Sequence, residues 1–508
     1  MNWSLILKRN AAEYSNKECL IFGEQHITWG RLGKRVNALA QALTDVGVGA
    51  GDVVAILLYN CPEYIELSFA ANQIGATWLP LNYRLAGPEF QFILNDSAAK
   101  VLVTEDEFAA VIGKIRPQLP ALKEILCVGK DAPAGETSYE ELLRSRISAH
   151  VEHAEVDLED LHRLVYTSGT TGHPKGVMLT FGNLYWKNLG HIITFGLTLE
   201  DRTLVVGPMY HVGGMDLPGT GTLYVGGCLV ILRSFDPAAV LEAIQREKVT
   251  NMWLAPAMIN MLFQYPAFND YDVSSMRFII DGGEKMPLPL IEKFREKFPQ
   301  AWFADAYGLT ETVSGDTFLA KDRMVNKVGS VGKPVLQLRV RVVDELGRDV
   351  PAGELGEIVL RGPKVFKGYW KNPEATSEAL RNGWFHTGDI GRLDEEGFLY
   401  LEDRKKDIII SGGENIASSE VERVIYQHPA VLETAVVAMP DAKWGEVPKA
   451  YVVLKAGVQA SLEELRQLCL DNLAKFKVPK EFEFIDALPR NPSGKVLKRE
   501  LRRRAVKE

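Results

Sequence analysis

Apolar residues fall along this chain in short blocks whose period changes with position. Between about residues 50 and 305, runs such as VVAILLY, KVLVTE, RTLVVG, CLVIL, NMWLAP and MRFIID are almost wholly apolar, the pattern of strands buried on both faces. Between them, stretches such as PAAVLEAIQREK and LPLIEKFREKF place apolar residues three and four apart and predict helices. That alternation predicts parallel sheets with helices on their faces. Near residue 335 the pattern changes. LQLRVRVVDELGRDVPAGELGEIVLRG holds two strand runs around Gly- and Pro-bearing turns, and GDIGRLDEEGFLYLEDR predicts a hairpin through DEEG, so a small antiparallel β subdomain is expected. After DRKKD the chain restarts with a helix (SSEVERVIYQH), two strands (ETAVVAMP, KAYVVLK), a helix (SLEELRQLCLDNLAKF) and a last strand (EFEFID). The expectation is a large α/β N-terminal domain over 1–404 and a smaller α+β C-terminal domain over 405–508.

Composition narrows the function more by exclusion than by suggestion. A length of 508 residues exceeds what one core serves, and 46% hydrophobic with 24% charged residues is ordinary for a soluble globular chain. A net charge of −8 argues against a nucleic-acid partner, whose affinity would come from basic residues on phosphates. The one basic cluster, KVLKRELRRR, has helical spacing and reads as a solvated helix face. Five scattered cysteines without CxxC spacing suggest reduced thiols, and none of the nine histidines has metal-ligand spacing. The apolar run in residues 1–9 is too short for a secretory signal, and no segment approaches the roughly 20 apolar residues of a membrane span. A cytoplasmic protein without a membrane or nucleic-acid partner is expected.

One stretch demands a ligand. YTSGTTGHPKG, residues 166–176, packs hydroxyls, glycines and a lysine behind the apolar LHRLVY. The following VMLTFGNLYWKNL reads as helix-like, so the loop is expected between strand and helix, an arrangement that aims backbone N–H groups at phosphate oxygens. It is not the GxxxxGK[ST] loop of common ATPases, because Pro174 and Gly176 stand where that pattern needs Gly and Ser or Thr.

YTSGTTGHPKG, YGLTE (307–311), TGD (387–389), DRKKDIIISGGENI (403–416) and NPSGK (491–495) occur in this order. In order and spacing they resemble the adenylate-forming enzymes: acyl-CoA synthetases, luciferases and peptide-synthetase adenylation domains. The resemblance covers essentially the whole chain. It implies that a carboxylate attacks the α-phosphate of ATP, giving acyl-AMP and pyrophosphate, and that a thiol then displaces AMP. Bringing anion to anion needs cations and N–H donors on the phosphoryl oxygens. By this resemblance Thr167, Ser168, Gly169, Thr170, Thr171 and Lys175 hold the β- and γ-phosphates, Thr310 bonds the α-phosphate, and Glu311 holds Mg²⁺. Asp389 accepts the ribose hydroxyls and Arg404 is a second ribose contact. Gly283, Asp305 and Ala306 flank adenine, with Tyr307 stacked on its face. Lys495 reaches the carboxylate and α-phosphate during adenylation, and His211 lies where the acyl carboxylate enters. The small C-terminal domain is expected to rotate on a hinge at Lys406 between the two half-reactions.

The thiol expected from the resemblance is CoA. A carrier-loading enzyme is expected to continue past Lys495 into a carrier domain, a luciferase to end in a peroxisomal tripeptide, which VKE is not, and a mere nucleotide-binding module would not need Lys175, Glu311 and Lys495 together. SGGENI departs from the family's commoner KGxQI: Gly412 stands for the lysine and Asn415 for the glutamine. Gly412 and Gly413 are expected to let pantetheine pass close to the backbone. FIIDGGEKMPLPLI and ADAYGLTETVSGDTF are similar to segments of feruloyl-CoA synthetases, so the expected substrate is a small carboxylic acid of the hydroxycinnamate type, ferulate or coumarate. Asp216, Glu284 and Lys285 are candidates for a polar substituent on its ring, or for solvent-facing charges. The alternatives are a short- or medium-chain fatty acyl-CoA synthetase and a carrier-loading adenylation enzyme. The chain is expected to act as a monomer or homodimer.

Overall fold

The computed structural model of the chain describes all residues except 1, 130–135, 168–173, 283–285, 287, 405–406, 412–413, 442–443, 474, 491–495 and 508, and the side chains of 288, 289, 403, 404, 410, 414, 415 and 507. Among the described residues the strands form four sheets.

Two of them carry the alternating first part of the chain. In the larger, of nine strands, Glu18–Phe22, Cys228–Ile231, Arg202–Val205, Asn251–Leu254, Phe278–Asp281 and Trp302–Tyr307 run parallel, flanked by antiparallel edge strands. The second, of eight strands, centres on the parallel strands Thr77–Pro80, Val53–Leu57, Val101–Glu105 and Glu124–Val128. The strand cores are buried throughout. Helices Pro237–Glu247 and Leu288–Lys297 lie where the apolar period predicted them, the first capped by the Asp236 carboxylate.

The remaining strands are largely antiparallel. Arg339–Val343, Gly356–Arg361, Trp384–Leu393 and Leu399–Arg404 pair antiparallel, as the change of pattern near residue 335 predicts. The last sheet is built on Val431–Asp441 against Gly445–Leu454, with Glu481–Phe484 added parallel and helices Ser418–Ile425 and Leu462–Asn472 alongside.

One expectation fails. The segment after the candidate phosphate loop is not helical from Val177: Lys175–Thr180 is a strand, antiparallel to Leu161–Thr167 with Thr167 opposite Lys175. The helix begins only at Phe181, where Thr180 and Asn183 exchange side-chain and backbone hydrogen bonds as a cap. Residues 168–173 therefore join two strands of a hairpin and do not lead directly into a helix N-terminus.

Candidate active site

Parallel strands bind ligands in the crevice beyond their carboxyl ends. Leu254 and Asp281 end two neighbouring strands, and Asp281 lies opposite Asp305 near the end of a third, so Trp253, Gly282, Ala306 and Tyr307 cluster at one such edge. Gly282 is there because a side chain would press on the Ala306 carbonyl at 3.1 Å.

Tyr307 ends its strand fully engaged. Its hydroxyl donates to Asp389 Oδ2 at 2.8 Å, although the two residues belong to different sheets. Burial and the Asp389 charge push the Tyr307 phenol up, so it stays a donor. Asp389 is buried, follows Gly388 at positive φ, and takes its backbone N–H bond to the Thr387 hydroxyl. Arg404 is its cross-strand partner in backbone register. The residues expected at adenine and at ribose are thus brought together.

A second group forms around Tyr369. Its hydroxyl donates to Glu311 Oε1 at 2.9 Å, and the Lys175 ammonium sits 5.2 Å from the centre of its ring. Burial and the Glu311 charge push this phenol up as well. Thr310, Glu311 and Thr312 form a single 3-10 turn. The lysine expected on the triphosphate and the carboxylate expected on Mg²⁺ therefore share one tyrosine. Nothing in GYW alone assigns Tyr369 this role. A glycine and two aromatics in a row were the available signal.

His211 caps the short helix Val212–Met215, its Nδ1 accepting from the Gly213 N–H at 3.1 Å. Its ring lies along the Trp253 indole, centroids 6.2 Å apart and planes 28° apart. Gly207 and Gly213 hold no side chain where that indole lies; a Cβ would meet it at 2.6 and 3.0 Å. The indole thus lies largely buried against the backbone beside His211. In the sequence Trp253 is one more apolar position of a buried strand, NMWLAP.

Asp216 corrects an expectation. It faces neither solvent nor a ring substituent: it is fully buried and bonded to Arg163 Nη2 at 2.5 Å. Around it lie Lys187, whose Nζ bonds the Asp216 carbonyl oxygen and the Thr220 hydroxyl, and, beyond, the Lys364–Asp316 pair at 2.8 Å. Ser168, Gly169, Thr170, Thr171, Gly283, Glu284, Lys285, Lys406, Gly412, Gly413 and Lys495, and the side chain of Arg404, lie outside the described residues.

Residues 7–370 match the AMP-binding enzyme family and residues 420–495 the AMP-binding enzyme C-terminal domain. The chain belongs to the AMP-binding enzymes. The first match spans most of the chain, including Lys175, expected on the triphosphate, and Glu311, expected on Mg²⁺. This AMP-binding enzyme is 41% identical over 484 residues to a feruloyl-CoA synthase of Amycolatopsis sp, covering 95% of this chain and 94% of that one. It is 38% identical over 504 residues to an indoleacetate–CoA ligase of Aromatoleum aromaticum, covering 99% and 98%. It superposes on the crystal structure of an anthranilate CoA ligase in complex with anthranoyl-AMP with a TM-score of 0.93 at 30% identity, covering 100% and 97%. It is an acyl-CoA ligase, with ATP and CoA as cosubstrates. No described helix is long and apolar enough to cross a membrane.

Proposed function

We propose that this enzyme activates an aromatic, hydroxycinnamate-type acid such as ferulate or coumarate and transfers the acyl group to CoA. The observation that carries the acid class is the Trp253 indole along His211, backed by glycines that let the indole lie against the backbone. A planar acyl group stacks on such rings over its whole length, whereas an alkyl chain gains only part of the contact. The relatives named for ferulate, indoleacetate and anthranilate support the same class.

In this reading Thr167, Ser168, Gly169, Thr170, Thr171 and Lys175 hold the β- and γ-phosphates, and Thr310 meets the α-phosphate. Tyr307 orients Asp389 through its hydroxyl; a carboxylate offers about four lone-pair positions, so holding Tyr307 is compatible with accepting ribose hydroxyls. Glu311 fits a magnesium ion. A hard cation of this kind takes one or two carboxylates, substrate phosphates and water, and among the described residues no group of three or more acidic, His or Cys residues forms a closed cage. When bound, the ion neutralises phosphate charge, and Glu311, oriented by Tyr369, would hold it. Gly283, Asp305 and Ala306 flank the base. Lys495 neutralises the developing charge in adenylation, Gly412 and Gly413 line the pantetheine path, and the C-terminal domain over 405–508 turns at Lys406.

The test is pyrophosphate release with ATP and Mg²⁺ across acetate, octanoate, benzoate, coumarate and ferulate. Ferulate or coumarate is expected to give the highest kcat/KM. A clear preference for octanoate would favour the fatty-acyl reading, and release of ADP with inorganic phosphate would refute adenylation itself.

A further inference from the structure

We infer that residues 364–370 act as a strap that sets the Glu311 carboxylate and the Lys175 ammonium relative to each other, with Lys364 and Tyr369 as its positioning residues. The inference rests on the reading of Glu311 as the residue that meets Mg²⁺.

The strap is fastened on two sides. Toward the hairpin that carries the phosphate loop, the Lys367 N–H donates to the Met178 carbonyl at 3.0 Å and the Trp370 N–H to the Gly176 carbonyl at 2.7 Å. Gly368 and Tyr369 continue this as strand partners of Met178 and Val177. Gly176 must lack a side chain here: a Cβ would sit 3.0 Å from the Tyr166 ring and 3.1 Å from the Trp370 Cβ. Toward the Thr310–Thr312 turn, the Phe366 N–H donates to the Glu311 carbonyl at 2.7 Å and the Tyr369 hydroxyl to its carboxylate at 2.9 Å. Backbone and side chain of Glu311 are thus gripped by the same segment.

Lys364 makes the third fastening, on strained backbone. Val313, Ser314 and Gly315 follow the turn with φ of 56°, 62° and 66°. Two successive non-glycine residues in the left-handed region, one of them β-branched, persist only where the surroundings impose them. The buried Lys364 ammonium imposes them by donating to the Ser314 carbonyl at 2.9 Å and the Gly315 carbonyl at 2.7 Å, while pairing with Asp316 at 2.8 Å. His191 Nε2 donates to the same Gly315 carbonyl at 3.0 Å, and the Thr312 hydroxyl to Asp316 Oδ2 at 2.5 Å. Glu311 is therefore fixed on both flanks by residues that need touch no substrate.

The test uses the full chain and Mn²⁺ as the probe. Mn²⁺ is titrated in the presence of a non-hydrolysable ATP analogue and the free ion read by EPR, for wild type, Tyr369→Phe and the double variant Lys364→Met, Asp316→Leu. Tyr369→Phe keeps the ring under Lys175 and removes only the hydroxyl on Glu311. It is expected to weaken Mn²⁺ binding about tenfold, the scale of one hydrogen bond to a charged group, with its melting temperature unchanged and the same shift in the Mg²⁺ half-saturation of pyrophosphate release. The double variant removes the buried pair together, so no lone charge is left, and is expected to weaken Mn²⁺ to a similar extent. If that variant fails to fold, Tyr369→Phe decides alone. Unaltered Mn²⁺ affinity in Tyr369→Phe, with wild type binding, would overturn the strap and leave the proposed function standing. A wild-type protein that bound no Mn²⁺ with the analogue would overturn both.

Discussion

Unbalanced charges in a buried cluster make the stability of this protein depend on pH. Three cations, Arg163, Lys187 and Lys364, face two carboxylates, Asp216 and Asp316, with no solvent access. Arg163 pairs with Asp216 and Lys364 with Asp316. Lys187 is left with uncharged oxygens: the Asp216 carbonyl, the Thr220 hydroxyl and the Asn188 amide. His191 on the same helix adds no charge, because burial and the two lysines hold its imidazole far below its usual range. One cation is in excess, and Lys187 is the one that gives up its proton. Burial lowers its pKa from the ordinary 10.5 to about 7, against the pull of Asp216 and with the help of Lys364 and Arg163.

Between pH 7 and 10.5 the unfolded lysine holds a proton that the folded one has lost, so stability rises with pH through that window. The penalty is complete below pH 7 and gone above 10.5. Each pK unit is worth about 1.4 kcal/mol, and half the proton is already lost at pH 7, so wild type should gain about 2 kcal/mol relative to Lys187→Met between pH 7 and 9. In a domain this large that is roughly 2–4 °C in melting temperature. Scanning calorimetry of both proteins at pH 7, 8 and 9 measures it, and the difference between them cancels every other titration they share. A difference that stayed flat or fell with pH would mean Lys187 keeps its proton in the folded state, and the charge count would be wrong.

Three further outcomes bear on the proposed chemistry. Lys495→Ala should lose adenylation about 100-fold or more, the scale of removing a positioned charge stabiliser, yet still convert supplied acyl-AMP and CoA to thioester; Lys406→Pro should do the reverse, because proline fixes φ at the expected hinge. Equal loss of both half-reactions in both variants, measured separately, would remove support for two conformations. Tyr307→Phe should raise the KM for ATP about tenfold without changing that for the acid, since only the bond orienting Asp389 is lost; steady-state kinetics with each substrate varied checks this. Gly213→Ala should raise the KM for the aromatic acid several-fold and leave that for ATP alone, because the new Cβ meets the Trp253 indole at 3.0 Å and His211 Nδ1 at 3.1 Å.

The parallel strands were legible because burial on both faces writes an unbroken apolar run, which few other environments tolerate. The boundary inside VMLTFGNLYWKNL was not, because a buried strand feeding a half-buried helix leaves no polar break between them. The mark that was there is Thr180 with Asn183, a cap placed three residues apart. The candidate site divides in the same way. Motifs carry candidate residues that share one stretch of local backbone, such as Thr310 and Glu311 in one turn. They do not carry Tyr369, whose role arises from a partner 58 residues away, nor the pairing of Asp216 with Arg163 across 53. Those contacts are set by how a strand packs against a 3-10 turn (Tyr369 on Glu311) and against a short helical segment (Arg163 on Asp216), and such packing is not local information. Yet the ionic cluster did leave a trace. Arg163 stands inside the apolar LHRLVY and Asp216 inside GGMDLPGT. A single charge in an apolar run must find an opposite one in another such run or give up its charge, as Lys187 does, because burying it charged and alone costs more than a marginally stable fold can supply. Such charges mark positions where the fold must supply a partner, and the fold decides that Arg163 and Asp216 are partners of each other.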